Sequence, residues 1–185
     1  MDEYQSGLES LFARAVEGGV KDSGSPDVIL SEKRHVAITQ VSFFSSEQAK
    51  ITKFLSSLGL ANLPSYSQLK SAKSVSVARV EMEKLWLIGT LPKTEIDASF
   101  YPLDLSSARN IIRVSGNRAD DVMARLCAVD FRDNTRNFFA TSIHHVAVHV
   151  HKNKDAYEIY IPRSFGESIA EYILDISKQY HVQMA

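Results

Sequence analysis

Ala108-Arg-Asn-Ile-Ile-Arg-Val114, Ser115-Gly-Asn117 and Asp120-Asp-Val-Met-Ala-Arg-Leu-Cys127 read in order as an apolar strand, a sharp turn and a short helix. Two strand-like runs follow, Phe138–Val150 and Ala156–Ile161. Pro162-Arg-Ser-Phe165 then opens a C-terminal helix reaching Tyr180, whose Ile169, Tyr172, Ile173 and Ile176 share one face. The order β-α-β-β-α is that of a split β-α-β, ferredoxin-like arrangement. Such elements pack their helices on one face of a mostly antiparallel sheet.

The same order of elements precedes this stretch. Val28–Leu30 and His35–Phe44 read as strands, the second with few charges and therefore well covered. Ser45 or Ser46 suits an N-cap, and Ala49, Ile51, Phe54, Leu55 and Leu58 mark a helix that Gly59 ends. Ser74–Val80 and Leu85–Ile88 read as a hairpin with Trp86 in its second arm. A loop over 89–104, holding Pro92 and Pro102, separates the halves. The expected class is α+β: residues 28–185 form one domain with two split β-α-β (ferredoxin-like) halves, 28–104 and 105–185. Residues 1–27 precede it as a helical arm and linker. In the arm, Leu8, Leu11, Phe12, Ala15 and Val16 make an apolar stripe that packs either on its own domain or on another subunit.

Composition narrows the function. The 185 residues carry a net charge of −1, so no basic surface invites nucleic acid. No run approaches the roughly 18 apolar residues of a membrane span. The acidic, polar first residues lack the basic start and apolar run of a secretory signal, which points to the cytoplasm. The single cysteine, Cys127, leaves no intrachain disulfide; between Leu126 and Ala128 near a helix C-terminus it reads as a packing residue. Neither G-x-G-x-x-G nor G-x-S-x-G occurs, so neither a dinucleotide loop nor a nucleophile elbow is indicated.

Three groups of residues could carry chemistry. His145, His149 and His151 have equal parity on a strand, and two such histidines, about 7 Å apart, suit zinc if a third ligand joins them. Asp155 or Glu158 could supply it; the competing reading is a polar face turned to water or to a partner. Arg163 lies at the mouth of the last helix, where its planar fork and the helix N-terminus favour an anion. There the alternative is an ion pair that fixes the turn. Ser164 suits an N-cap with Glu167 three residues on. Trp86 serves either core packing or stacking on a ligand.

Several segments resemble the gamma subunit of heterotetrameric sarcosine oxidase: Leu105–Gly116, Asp121–Asp130, Ala140–Val150 and, most specifically, Ala156-Tyr-Glu-Ile-Tyr-Ile-Pro-Arg-Ser-Phe165. Leu58–Pro64 and Ala78–Ile88 fit the pattern more loosely, with Val80-Glu-Met-Glu-Lys-Leu-Trp86 departing from it, and the resemblance spans residues 55–180. It implies a small α+β protein, similar in fold to part of the aminomethyltransferase folate-binding domain. It implies alpha, beta and delta partner subunits in a complex that oxidises N-methyl groups with FAD, FMN, NAD and tetrahydrofolate. Those cofactors would sit in the large subunits and zinc in delta, with no catalytic residue in this chain. A stand-alone folate-binding protein and a small metal-dependent enzyme remain the alternative expectations.

Overall fold

In the computed structural model, which describes Leu8, Leu11, residues 25–91 and residues 96–185, the strand expected at 108–114 runs Arg109–Ser115. In chain order the elements are β1 (Val28–Glu32), β2 (Ile38–Ser42), α1 (Gln48–Ser57), β3 (Leu69–Ala72), β4 (Val75–Glu81), β5 (Lys84–Gly89), β6 (Leu103–Asp104), β7 (Arg109–Ser115), α2 (Ala119–Leu126), β8 (Phe138–Ile143), β9 (Val146–Lys152), β10 (Ala156–Pro162), α3 (Gly166–Ser177) and β11 (Val182–Met184). The class is α+β, and among the described residues every strand pair is antiparallel except β1 with β11. The chain divides into two compact units, one of residues 35–107 and one of residues 1–34 with 108–185. The first strand thus joins the C-terminal residues, because β1 pairs with both β7 and β11.

In the larger unit the sheet order is β11-β1-β7-β10-β9-β8. One face of it carries Val28, Leu30, Ile112, Val114, Val148, Val150, Tyr157 and Ile159, all buried. Helix α2 brings Ala119, Val122, Met123 and Leu126 to this cluster, the i, i+3, i+4, i+7 set of one helical stripe. Asp120 and Asp121 in its first turn and Arg125 in its last suit the helix dipole. Helix α3 adds Ile169, Ala170 and Ile173. Leu8 and Leu11 are buried in the same cluster; the rest of the helix expected over 7–17, and the linker through residue 24, lie outside the described residues. The β7–α2 turn needs Gly116: its φ is +108°, and a Cβ there would come within 2.3 Å of the Asp27 carbonyl oxygen.

The long run Phe138–Val150 is not one strand. It folds back at His144-His145, both with positive φ (46° and 68°), so that Ile143 pairs with Val146. Positive φ at both central residues is what a two-residue type I′ hairpin turn demands. His145 therefore sits in the turn rather than on a strand face beside His149 and His151.

In the smaller unit the order is β3-β4-β5-β2-β6. Helix α1 places Ile51 and Leu55 against Val41, Val77, Leu85 and Leu87. It ends as its glycine implies: Gly59 has φ +94°, its N–H donates to the Ser56 carbonyl, and the Leu60 N–H reaches back to Leu55. That pair of bonds is the Schellman motif. Both units share one plan. The strand before the helix (β2 or β7) pairs with the last strand of a three-strand meander, β3-β4-β5 or β8-β9-β10. Among the described residues no helix is long and apolar enough to cross a membrane.

Candidate functional site

Strand β10 is buried along Ala156–Ile161, yet it carries one charge, Glu158, which is 5 % exposed. A carboxylate in such a place needs partners, since an unpaired buried charge costs several kcal/mol. The fold supplies them on the sheet face opposite the helices of the larger unit. Lys33, just past β1, donates from Nζ to Glu158 Oε1 at 2.8 Å. Tyr160, two residues along the same face, donates its hydroxyl to Oε2 at 3.1 Å. His151, opposite Glu158 in register, places Nδ1 3.6 Å from Oε2, an ion-pair distance when the ring is protonated. Burial works to raise the Glu158 pKa, but the bonds and charges of His151 and Lys33 outweigh it and hold the carboxyl at about 2. Burial, and then the adjoining carboxylate, pushes the Tyr160 phenol well above its ordinary 10. At neutral pH Glu158 is thus an anion and Tyr160 a neutral donor. Proton transfer between them is unfavourable; the arrangement holds charge in place.

His149 lies beside the cluster, opposite Tyr160 in register and stacked on Phe138 with ring centroids 5.5 Å apart. Of the three histidines weighed for zinc, His149 and His151 share a face of β9 and His145 is in the β8–β9 turn. Among the described residues no group of three or more His, Cys, Asp or Glu side chains is placed to hold a metal ion. Arg163 and Ser164 are exposed in the 3-10 turn Arg163–Phe165 between β10 and α3. Ser164 lies inside that turn; the residue at the α3 N-cap is Phe165. Trp86 belongs to the smaller unit, where it is buried on the face of β5 opposite that of Leu85 and Leu87, its Nε1 donating to Gln40 Oε1 at 3.3 Å. Cys127 is buried, and desolvation pushes its thiol up to about 11, so it is a poor nucleophile near neutrality.

Sequence reasoning reached Glu158 only as a possible metal ligand and did not reach Lys33 or Tyr160. The signal for the cluster is the lone acid within Ala156–Ile161, because a charge inside an otherwise apolar strand is rarely left unpaired.

Comparison of sequence alone yields nothing: no family model matches this chain, and no curated protein does. Comparison of structure does. The chain superposes on a chain of heterotetrameric sarcosine oxidase from Corynebacterium sp. U-96, solved in complex with pyrrole 2-carboxylate, with a TM-score of 0.78 at 18 % identity. The match covers 98 % of each chain. The fold is that of a chain of this oxidase. The glycine cleavage system aminomethyltransferase T from Bartonella henselae is also similar, with a TM-score of 0.62 at 16 % identity. It covers 86 % of this chain, which spans about half (48 %) of that protein. The α+β fold with two mostly antiparallel sheets is therefore the one that the sequence resemblance implies.

Proposed function

We propose that this chain is a non-catalytic accessory subunit, of the gamma type, in a heterotetrameric sarcosine oxidase-type complex. That complex would oxidatively demethylate sarcosine or a related N-methyl amine in the cytoplasm and pass the one-carbon unit to tetrahydrofolate. Its partners would be the alpha, beta and delta subunits, with FAD, FMN, NAD and tetrahydrofolate held by the complex rather than by this chain. The observation that carries the reading is the end-to-end match to a chain of such an oxidase, 98 % of both lengths. The state of the Glu158 cluster agrees: the carboxylate is already engaged by Lys33 and Tyr160, and ionised, so it is not a free group awaiting a ligand.

A second reading, a stand-alone folate-binding protein, is supported by the similarity to aminomethyltransferase T. One experiment separates the two. A tagged copy is recovered from its native cells and its eluate examined by visible absorbance and by mass spectrometry. The expected result is a yellow eluate containing larger flavin-bearing subunits that oxidises sarcosine or a related amine. A colourless chain recovered alone would refute the subunit reading and favour the rival.

A further inference from the structure

Strand β8 closes one side of the larger unit's sheet, and among the described residues only β9 pairs with it. Its open side follows from the ladder. The Lys152 N–H donates to the Asn137 carbonyl at 2.8 Å, so these two opposed residues form a hydrogen-bonded pair. Bonded and non-bonded pairs alternate along an antiparallel ladder, which makes Phe139, Thr141 and Ile143 the residues bonded to β9. Ala140 and Ser142 therefore turn their N–H and C=O groups away from β9, and both residues are exposed. A row of this kind is a template for a further strand, and proteins ordinarily blunt it with charge, proline or brevity. Among the described residues the other three sheet edges are blunted: β3 has four residues and carries Lys70, β6 has two and carries Asp104, and β11 has three. Strand β8 has six, Phe138-Phe-Ala-Thr-Ser-Ile143, with neither a charge nor a proline.

We propose that β8 pairs antiparallel with β8 of a second copy of this chain, about a twofold axis at Thr141, joining the two larger-unit sheets edge to edge. The open backbone groups select an extended strand as the occupant, because main-chain hydrogen bonds in a row are what such an edge offers. The side chains select a second copy. With the axis at Thr141, Ala140 and Ser142 of one copy face Ser142 and Ala140 of the other, which sets the outward groups of both strands against each other. Phe139 then stands opposite Ile143, and Thr141 opposite Thr141. Apolar meets apolar, a Thr–Thr pair lies on the axis, and no charge faces a like charge. A twofold interface of this kind is complete with two copies. The pairing does not depend on the accessory-subunit reading.

The test is sedimentation equilibrium of the purified full chain from micromolar to millimolar concentration, with a melting temperature for each variant. The wild-type mass should rise toward twice that of the monomer as concentration increases. Ala140→Pro removes one outward donor and leaves the bonds to β9; the twofold axis deletes that donor twice, so association should weaken by about tenfold or more. Thr141→Lys and Thr141→Glu each set like charges across the axis and should stay monomeric alone. Mixed in equal amounts, the two should associate again, a recovery that a folding defect in either chain cannot imitate. Wild type that stays monomeric throughout would overturn the pairing. So would an Ala140→Pro chain that associates like wild type, or a Lys/Glu mixture that stays monomeric. Whether flavin co-purifies from native cells bears on none of these results, so the two proposals fail separately.

Discussion

Glu158 is the residue on which the larger unit's polar face turns. A carboxyl held at about 2 instead of 4.5 stabilises the folded chain by at most about 3 kcal/mol at neutral pH. Water around Lys33, whose side chain is 46 % exposed, reduces that to about 2 kcal/mol. The sign follows from a folded pKa that is depressed. The stabilisation is full above the unfolded value near 4.5 and is lost as pH falls toward 2. His151, Lys33 and Tyr160 face the carboxyl, and Arg113 is its register partner on β7. Glu158→Gln should lower the melting temperature at pH 7 and flatten its decline between pH 5 and 2; thermal unfolding followed by circular dichroism across that range checks it. An unchanged acid limb in the variant would mean that other carboxyls govern it. The acid and His151 were legible in the sequence, though only as possible metal ligands; Lys33 and Tyr160 were not. Lys33 stands 125 positions away and looks like any loop lysine until β1 is paired with β7.

At the scale of single elements, two local features invite substitution. Gly166 begins α3 with an ordinary helical backbone (φ −54°), so it is kept for space, not for φ. A Cβ there would lie 2.3 Å from Asn110 Oδ1 and 2.9 Å from Cγ, and Asn110 is 1 % exposed with that oxygen unbonded. Helix propensity favours alanine by up to about 1 kcal/mol, but overpacking costs about 1–3. Gly166→Ala should therefore destabilise by about 1 kcal/mol, and in an Asn110→Ala background the same change should stabilise. That reversal, measured in a denaturant double-mutant cycle, is the check. In the β8–β9 turn, His145 pays the left-handed penalty that glycine avoids, while the neighbouring His144 ring lies 5.0 Å from Tyr172. His145→Gly should raise stability by about 0.5–1 kcal/mol, read as a melting temperature about 1–4 °C higher. The helices and most strands were legible because their apolar spacing and terminal glycines act locally. This hairpin was not: Ser-Ile-His-His-Val carries neither Asn nor Gly, and its register comes from pairing with β10 on the far side. The short strands β3, β6 and β11 were equally hidden, since two to four residues show no period; pairing alone defines them.

For the whole molecule, the repeated order of strand, helix and meander was visible as order, and it gave the class. The return of β1 to the C-terminal unit was not visible, because a parallel pairing with β11 across the chain leaves no local trace. Tetrahydrofolate, the ligand of the rival reading, is the one to try on the isolated chain. A ligand that binds only the folded state stabilises it by RT ln(1 + [L]/Kd), about 2.7 kcal/mol at a hundredfold excess over Kd. For a chain of 185 residues each kcal/mol moves the melting temperature by about 2–4 °C, so genuine binding appears as a rise of about 5–10 °C. The accessory-subunit reading expects no such rise in the chain alone, at any tetrahydrofolate concentration up to the millimolar range. It does expect a rise on adding the larger subunits, whose contact itself acts as the ligand. A shift of 5–10 °C with tetrahydrofolate alone, saturating with concentration, would place a folate pocket in this chain. The fold would then serve binding in its own right instead of assembly.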